Sequence, residues 1–347
     1  MTTEDTLFPE ITTKAERQEK QRRPEPEFTY QAMGAGVQST TIALLAANGE
    51  IEKPKFAVFS DTGWEPQGVY DHLDKLDREV LQPSGIKLFK VQKGDLSKDA
   101  GSRFAPDLMP LYIRDSESGK EGITRRQCTS VYKIGPLNRW VRGQLGADAS
   151  EKACKYCGGI GERDAPWLVT AGETETRGEC WVCSGTGVRT LVGSVPDQGA
   201  WARSYIGFSV DEIGRVSASR DRYVVNHYPL LDLRMSRDDC YDYLAEQGWG
   251  STPKSACIGC PFHVNAEWRK VKADPVQWAS AIEVDEQIRH APGRRGIGFL
   301  HSSRVPLAIA DISSGSDEEL GSCSPYGCRS GDLNFDDQLS LLDEELQ

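Results

Sequence analysis

Apolar residues over the first hundred positions follow two different periods. Short apolar runs predict three strands, at Phe28–Met33, at Phe56–Phe59 and in the stretch IKLFKVQ. Helical spacing predicts one helix from about Gln38 to Ala47 and another in PQGVYDHLDKLDREVLQ. Alternating strands and helices are typical of an open, mostly parallel sheet with helices on both faces. The predicted fold class is therefore α/β.

The pattern in the second half predicts a return to the same sheet. The stretch SYIGFSVDEIGR predicts a strand that ends in Asp211, Glu212 and Arg215, HYPLLDL a short strand-like piece, and SRDDCYDYLAEQG a helix. A stretch rich in cysteine and glycine separates the two halves. We expect a disordered segment at 1–27, the sheet domain in two parts at 28–150 and 196–310, a zinc-binding insert at 151–195, and an acidic flexible tail at 311–347.

Composition and charge indicate the cellular compartment, but they do not identify the binding partner. The formal net charge is -11, but ten acidic residues and one arginine lie after residue 310, so the rest of the chain is nearly neutral. This balance neither supports nor excludes nucleic acid as a partner. The sequence contains no run of 18 apolar residues, so a membrane span is not expected. The N-terminus also lacks the apolar core of a signal peptide. We expect a cytoplasmic protein without a membrane partner, and in that compartment ten cysteines are more often metal ligands or redox groups than disulfides.

The stretch MGAGVQSTTIALLA predicts a turn that binds an anion. Two glycines and three hydroxyl residues lead from a strand into a helix, and the backbone N–H groups of such a turn point at phosphate. The lysine of the best-known phosphate loop is missing, and the alternative is a tight turn without a ligand. Because ligands bind at the carboxyl ends of parallel strands, we expect Gly34–Ser39 and Asp61–Glu65 to lie side by side.

Five motifs follow one another between Met33 and Leu244. They are GAGVQS, FSDTGWEP, RQCTSVYKIGPLNRW, GFSVDEIGR, and YPLLDL with RDDCYDYL. In this order they resemble the motifs of the phosphoadenosine phosphosulfate (PAPS) reductase family, in the adenine nucleotide alpha-hydrolase-like (PP-loop) superfamily. The chain departs from that family where Gly34, Ala35, Gln38 and Leu233 replace the usual serine, glycine, aspartate and tryptophan.

The resemblance implies an adenine nucleotide, ATP or PAPS, with its phosphates on the loop. The expected nucleotide-binding residues are Gly34, Ala35, Gly36, Gln38, Ser39, Asp61, Thr62, Gly63, Glu65, Arg139 and Arg215. The expected catalytic residues are Asp61, Lys133 and Cys128. Asp61 at a strand end also suits ribose or magnesium by its position alone. The alternatives are a turn residue at Asp61, a solvated helix face for Lys133 and Arg139, and a structural ion pair for Arg215.

Two C-x-x-C-x-G-x-G knuckles give the strongest local signal. They supply four thiolates, a tetrahedral set that suits zinc, from Cys154, Cys157, Cys180 and Cys183. The glycines let each knuckle turn tightly. The repeats are similar to the zinc-binding repeats of DnaJ-type chaperones, and we expect a structural zinc module that also suits a contact arm for a partner. Two reduced hairpins without metal are the alternative.

A second group of cysteines, Cys128, Cys257 and Cys260, predicts an iron–sulfur site. Three thiolates can hold a [4Fe–4S] cluster and leave one iron open to another ligand, for which His263 is a candidate. A second zinc site and three thiols without metal are the alternatives. Cys323 and Cys328 in the tail do not match the Glu-Cys-Gly setting of the reductase nucleophile, and Cys240 is expected in the core.

These features predict an enzyme of nucleotide-dependent sulfur chemistry. One reaction is reduction of PAPS to sulfite by a thiol. The other is adenylation of a substrate oxygen by ATP, followed by replacement with sulfur, as in the thiolation of nucleic acid. A thiol reductant or sulfur-donor protein is then an expected partner. The competing hypotheses are a nucleic-acid-binding module that uses the zinc insert and a nucleotide sensor without catalysis, the latter suggested by Gln38.

Overall fold

The computed structural model describes most of the chain between the two termini. The described residues are 25–101, 108–155, 157–164, 177–180, 183, 185–193, 199–291 and 296–313. Most of the predicted N-terminal segment and acidic tail lies outside them, as do Cys323 and Cys328. The described residues form two compact units, one up to residue 137 and again from 201, the other from 138 to 200.

The helices and strands follow the predicted alternation. The strands are β1 (Phe28–Met33), β2 (Phe56–Asp61), β3 (Lys87–Gln92), β4 (Tyr112–Arg114), β5 (Glu121–Ile123), β6 (Ala149–Ala153), β7 (Glu162–Asp164), β8 (Arg177–Glu179), β9 (Val188–Val192), β10 (Ala202–Tyr205), β11 (Val224–His227) and β12 (Ile297–Phe299). The α-helices are α1 (Val37–Ala47), α2 (Gln67–Leu76), α3 (Leu96–Asp99), α4 (Gly135–Gln144), α5 (Pro229–Asp232), α6 (Arg237–Glu246), α7 (Asn265–Ala273) and α8 (Pro275–Arg289). Shorter turns are π-helical at Asp77–Leu81 and Thr129–Ile134, and 3₁₀-helical at Val210–Arg215 and Leu307–Ile309.

A five-stranded parallel sheet forms the centre of the first unit. Its strand order is β11–β10–β1–β2–β3, and every neighbouring pair is parallel. The predicted α/β class is therefore confirmed. Since β1 lies between β10 and β2, the segments that follow these three strands emerge at one edge of the sheet.

Helical segments cover both faces of this sheet. Met33, Phe59 and Tyr205 share a buried core with apolar residues of α1, α2 and α6. Ser60 points to the opposite face from Phe59, because side chains alternate along a strand. Its hydroxyl donates to the carbonyl oxygen of Lys133, 2.9 Å away, in the π-helical turn before α4.

Two local predictions in the second half were wrong. The strand predicted to run to Arg215 ends at Tyr205, and residues 210–215 form a 3₁₀ turn. Ile206 and Phe208 are buried in the connection instead, where the Phe208 ring stacks on Tyr228 at 5.7 Å. Likewise, only His227 of HYPLLDL belongs to a strand, and the Pro-Leu-Leu-Asp that follows Tyr228 is a helical turn. Apolar residues at the edge of a sheet are buried without being extended, which periodicity cannot reveal.

A second core lies under the C-terminal helices of the first unit. Trp268 of α7 and Ile288 of α8 pack with Trp64 and Cys257 in this cluster. The antiparallel sheet β12–β4–β5 accompanies these helices. Because Trp64 lies three residues after the end of β2, this second core reaches the carboxyl edge of the sheet.

The second unit holds the cysteine-rich insert. Strand β6 pairs antiparallel with β9, and β7 pairs antiparallel with β8.

No helix in the part of the chain that the structure describes is both long and apolar enough to cross a membrane.

Candidate functional site

The predicted phosphate loop joins β1 to α1 and is buried throughout. Gly36 is the extended N-cap of α1, and its N–H donates to the Ser39 hydroxyl at 3.0 Å. The Ser39 hydroxyl donates in turn to the Gly36 carbonyl, also at 3.0 Å. Ala35 has a φ of 55°, a left-handed conformation that a residue with a Cβ adopts only at a cost of about 1–2 kcal/mol. The loop is therefore a tight, internally bonded turn that holds one strained residue.

Two other segments pack directly against this loop. A Cβ on Gly36 would lie 3.1 Å from the Cβ of Ser255 and 3.3 Å from its backbone N. On the other side, a Cβ on Gly207 would lie 3.3 Å from the backbone N of Ser39. Gly34, Ala35 and the other loop residues are buried as a result.

Gln38 and Arg215, both predicted to bind the nucleotide, meet at one buried carboxylate. The Gln38 amide donates to Glu212 Oε2 at 3.1 Å. Arg215 forms an ion pair with Glu212, and Arg237 Nη2 lies 3.2 Å from the same carboxylate. Burial raises the pKa of Glu212, while Arg215 and Arg237 act in the opposite direction. The arrangement matches the structural ion pair that was the alternative for Arg215.

The Asp-Thr-Gly sequence at the end of β2 forms a turn that requires glycine. Asp61 Oδ1 accepts from the Gly63 N–H at 2.8 Å and from the Tyr70 hydroxyl at 2.7 Å. Burial raises the pKa of Tyr70, and its hydrogen bond to Asp61 adds to the effect. Gly63 has a φ of 72°, and a Cβ there would lie 2.9 Å from the Cα of Asp95. One Asp61 oxygen thus holds the turn, and the other is what remains for a ribose hydroxyl or a magnesium ion.

A buried cluster of four polar side chains lies next to this turn in space. Glu65 Oε1 accepts from the Thr62 hydroxyl at 3.1 Å and lies 3.6 Å from Lys133 Nζ. Cys257 Sγ is 3.5 Å from Glu65 Oε1 and 3.4 Å from the Thr62 hydroxyl. The side chains of Glu65 and Lys133 are only 1% and 6% exposed. Pairing reduces the large cost of burying either charge alone.

The three cysteines of the predicted iron–sulfur site border one small cavity. Its volume is about 20 Å³. The lining residues are Thr62, Leu96, Met109, Pro110, Arg126, Cys128, Thr129, Lys133, Cys257, Cys260 and Pro261. The fold therefore brings together Cys128, Lys133 and the C-x-x-C pair, which lie far apart in sequence. The Thr129 hydroxyl in the same lining is buried and has no hydrogen-bond partner among the described residues.

The C-x-x-C turn is fixed against Trp64 and His263. The Ile258 N–H donates to the Trp64 carbonyl at 2.9 Å. His263 Nε2 lies 3.0 Å from the Cys257 carbonyl and 3.2 Å from that of Ile258, so this nitrogen carries the proton. Burial lowers the pKa of His263 to about 4. His263, the candidate fourth ligand, thus faces the backbone of the turn in this structure.

Arg139 is exposed on α4, six residues after the buried Lys133. It belongs to the second unit, whereas Lys133 belongs to the first. Among the described residues that line the cavity introduced above, Lys133 is present and Arg139 is not.

The second unit contains a compact group of four thiols. Cys154, Cys157, Cys180 and Cys183 are buried, and their sulfurs all lie within 4.8 Å of one another. The separations from Cys154 to Cys180 and from Cys157 to Cys183 are 3.8 and 3.7 Å. Four sulfurs placed tetrahedrally about one zinc ion at about 2.3 Å would be about 3.8 Å apart. The quartet therefore could hold a metal ion.

The two knuckles are related by a local two-fold pattern. The Cys154 N–H donates to the Gly187 carbonyl at 2.8 Å, and the Cys180 N–H donates to the Gly161 carbonyl at 2.7 Å. Gly161 and Gly187 have φ values of 86° and 71°, and a Cβ on either would collide with the backbone of the other knuckle. Close approach and left-handed backbone together require glycine at both positions.

The three cavity thiols are spaced differently from the quartet. Among the described residues, the quartet is the only group of three or more Cys, His, Asp or Glu side chains with all ligand atoms within 4.8 Å of one another. At least one pair among Cys128, Cys257 and Cys260 is therefore more widely separated. A [4Fe–4S] cluster binds each thiolate to a different iron, so wider spacing suits a cluster better than one ion.

Ser255 is the main site residue that sequence reasoning missed. It lies two positions before Cys257, in a stretch without helical or strand periodicity, and only the fold shows that it covers Gly36. Gly259 was also missed, although its place between the two cysteines hinted at a close approach of another group. No protein-family model matches the sequence, and no match is found among curated proteins.

Proposed function

We propose that the chain is an enzyme that binds an adenine nucleotide, ATP or PAPS, and performs sulfur transfer or sulfonucleotide reduction beside it. The observation that carries this proposal is the course of residues 253–260. Ser255 in this segment packs on Gly36 of the loop, and Cys257 contacts Thr62 and Glu65 after β2. One short segment thus joins the predicted phosphate loop, the Asp-Thr-Gly turn and the thiols.

The position of the loop supports the nucleotide half of the proposal. It follows a strand of a parallel sheet, precedes a helix, and lies at the edge where such sheets bind ligands. The N-terminus of α1 favours an anion there. The left-handed backbone of Ala35 is strain of the kind that concentrates at functional sites. Because Ser255 covers Gly36, a phosphate at this loop requires residues 253–255 to move or to supply donors of their own.

The donor set at the cavity supports the sulfur half. At least one pair among Cys128, Cys257 and Cys260 is more than 4.8 Å apart, which suits a [4Fe–4S] cluster on these thiols better than a single ion. When bound, such a cluster supplies an iron that is open to sulfide. Lys133 and Glu65 place a buried ion pair against Cys257 and keep its surroundings close to neutral. A single zinc ion on the same thiols is the weaker alternative, because one tetrahedron needs closer sulfurs.

The quartet of the second unit is assigned to structural zinc. Its sulfur separations match a tetrahedral zinc ion, and four thiolates leave no open position for a substrate. A single iron ion in the same tetrahedron is the alternative. Thiols in both groups suit a reducing compartment, so we place the protein in the cytoplasm with a thiol reductant or sulfur-donor protein as partner.

Anaerobic purification of the full chain tests both halves together. We expect about one zinc and about four irons per chain, with visible absorption that dithionite bleaches, and calorimetric binding of ATP or PAPS. Cys128→Ser should lose iron and keep zinc. Cys240→Ala, which removes a buried thiol outside both groups, is the matched control and should keep both metals.

A preparation that contains zinc but neither iron nor sulfide would exclude the cluster. The remaining interpretation would be a second zinc ion on the cavity thiols. Absence of binding to both nucleotides would exclude the enzyme proposed here. Turnover then separates the two reactions, since PAPS reduction releases sulfite and adenylation releases pyrophosphate. Binding without turnover of either nucleotide would favour the sensor.

A nucleic-acid partner is the second candidate, and one feature of the second unit favours it. Lys152 of β6 lies directly opposite Arg189 of β9, and both are exposed. Like charges in this register repel each other unless an anion lies between them. A DNA or RNA phosphate is such an anion, and a salt-dependent gel shift that weakens in Lys152→Glu tests it.

A further inference from the structure

The cavity thiols are accessible from one side only. Cys128 and Cys260 are half-buried, whereas Cys257 is buried. The cavity between them has a volume of about 20 Å³, which is room for about one water molecule. Binding pockets for small organic molecules usually measure about 300–1,000 Å³. A substrate therefore reaches these thiols from outside, over the residues that surround Cys128 and Cys260.

Two arginine–aromatic pairs lie next to Cys260. Phe262 follows it by two residues, and the guanidinium carbon of Arg126, which also lines the cavity, lies 5.3 Å from the centroid of the Phe262 ring. In the second pair, the guanidinium carbon of Arg304 lies 5.5 Å from the centroid of the Tyr112 ring. Burial raises the pKa of Tyr112, and its neighbour Cys260 adds to the effect. Each pair is half-buried, so part of it faces solvent.

The same surface carries excess positive charge. Glu121 Oε1 lies 3.2 Å from Arg114 Nη2, and its Oε2 lies 3.1 Å from Arg304 Nη1, so two arginines share one carboxylate. Arg125 is exposed and forms no ion pair with the residues that the structure describes. Together with Arg126, four arginines and one glutamate leave three positive charges. The turn between β4 and β5 adds two acids and one lysine, which reduces this excess to two.

We propose that this surface binds single-stranded nucleic acid. We call it the arginine–aromatic rim and define it by Tyr112, Arg125, Arg126, Phe262 and Arg304. The inference rests on the proposed sulfur site and names the kind of molecule that reaches it. Arginines neutralise backbone phosphates, while unpaired bases stack on aromatic rings and on guanidinium planes.

The combination of rings and charges favours this partner over two others. An acidic protein matches the charge of the rim but gives its rings no stacking partner. A duplex keeps its bases stacked inside and uses only the phosphate contacts. A single strand uses both kinds of group, and it brings a base next to the half-exposed Cys128 and Cys260.

Fluorescence anisotropy of the full-length protein with a short labelled RNA strand of mixed sequence, and with DNA of the same sequence, tests the inference. We expect binding that is tighter than for the corresponding duplex and that weakens as salt rises. Arg125→Ala should reduce the slope of log affinity against log salt by about 0.7, as for loss of one phosphate contact. Phe262→Leu, which keeps an apolar side chain and removes the ring, should weaken binding about tenfold and leave the slope unchanged.

Two variants outside the rim are the controls. Arg78→Ala removes an exposed arginine from the π-helical turn that follows α2. Lys152→Glu reverses an exposed charge of the second unit. Both should bind the labelled strand like wild type. Thermal melting checks the fold of every variant, and the exposed Arg125 carries the test if Phe262→Leu is unstable.

Four results would overturn the inference. They are no binding of either strand by wild type, equal affinity for strand and duplex, unchanged binding in both rim variants, and a loss confined to Lys152→Glu, which would move the contact to the second unit. Iron content and affinity for ATP or PAPS, measured on the same preparations, show separately whether the proposed function stands.

Discussion

Because Gly259 has no side chain, the C-x-x-C turn can pack closely against the indole of Trp64. A Cβ on Gly259 would overlap the indole of Trp64, with Cζ3 and Cζ2 at 2.7 and 2.8 Å. Trp64 is 3% exposed, and its Nε1 donates to the Ser280 hydroxyl at 2.9 Å, so the ring has no room to move. We expect Gly259→Ala to destabilise the protein by about 1–3 kcal/mol, as overpacking does, and to reduce iron content. Urea unfolding and metal analysis measure the two effects.

Gly68→Ala is the control for this substitution. Gly68 lies in α2, and a Cβ there meets nothing within 4 Å. An alanine in a helix is favourable by up to about 1 kcal/mol relative to glycine, so this variant should be as stable as wild type or more so. If Gly259→Ala behaved like Gly68→Ala, the contact with Trp64 would not constrain the turn.

The residue types predicted which thiols lie together better than they predicted what individual side chains contact. Cysteine spacing alone placed four thiols in one group, because a short knuckle leaves few ways to turn. The side chains of Gln38 and Arg215, predicted at the nucleotide, contact Glu212 in this structure. No local pattern reveals the contact of Gln38, since Glu212 is 174 positions away, whereas the ion pair of Arg215 with Glu212, three residues apart, was the alternative drawn from the sequence. The contact of Ser255 with the loop was invisible for the same reason as that of Gln38.

At the scale of elements, α1 is attached to α2 through a buried histidine. His72 Nε2 lies 2.9 Å from the Thr40 hydroxyl, and burial lowers the pKa of His72 to about 4. The unfolded chain, with an ordinary pKa of about 6.5, takes up the proton first as the pH falls. Stability is therefore complete above pH 6.5 and declines between pH 6.5 and 4. The loss from this residue is about 2 kcal/mol at pH 5.

His72→Gln should remove this part of the pH dependence. An amide keeps a polar group near Thr40 and does not titrate. We expect the stability difference between pH 7 and pH 5, measured by urea unfolding, to shrink by about 2 kcal/mol relative to wild type. His290→Gln, at the end of α8, is the control and should retain the wild-type difference. An unchanged difference in His72→Gln would mean that the ring has the same pKa in the folded and the unfolded chain.

The elements that build the sheet could be predicted because pattern and fold agree there. β1 has the predicted bounds, and α1 begins within one residue of its predicted start, where Gly36 and Ser39 cap it. The strand prediction failed beyond Tyr205, where the residues are still buried but the backbone is no longer part of a strand. The C-terminal pair α7 and α8, which helps to position the C-x-x-C turn, was not predicted from the pattern, although α8 has a clear start at Asp274 and Pro275.

At the scale of the whole molecule, the chain carries two sets of thiols in two units. The quartet lies in the unit from 138 to 200, and the cavity thiols lie in the other. No described element is shared by the two sets. The sets should therefore respond separately to substitution and to oxygen, provided that each holds the metal assigned to it. Zinc has no redox chemistry, whereas an iron–sulfur cluster and its cysteine ligands can be oxidised.

Cys180→Ser is the sharpest test of this separation. Removing one of four thiolates leaves an incomplete tetrahedron, and metal binding to such knuckles is also their folding energy. We expect the variant to lose about one zinc per chain, while iron content and affinity for the adenine nucleotide remain at wild-type levels. Air oxidation of the wild-type protein should do the reverse, removing iron and leaving zinc. Both are measured by metal analysis of the same preparations, with Cys240→Ala carried through as the control. Loss of iron along with zinc in Cys180→Ser would show that the two units fold as one, and retention of zinc would place it on other ligands.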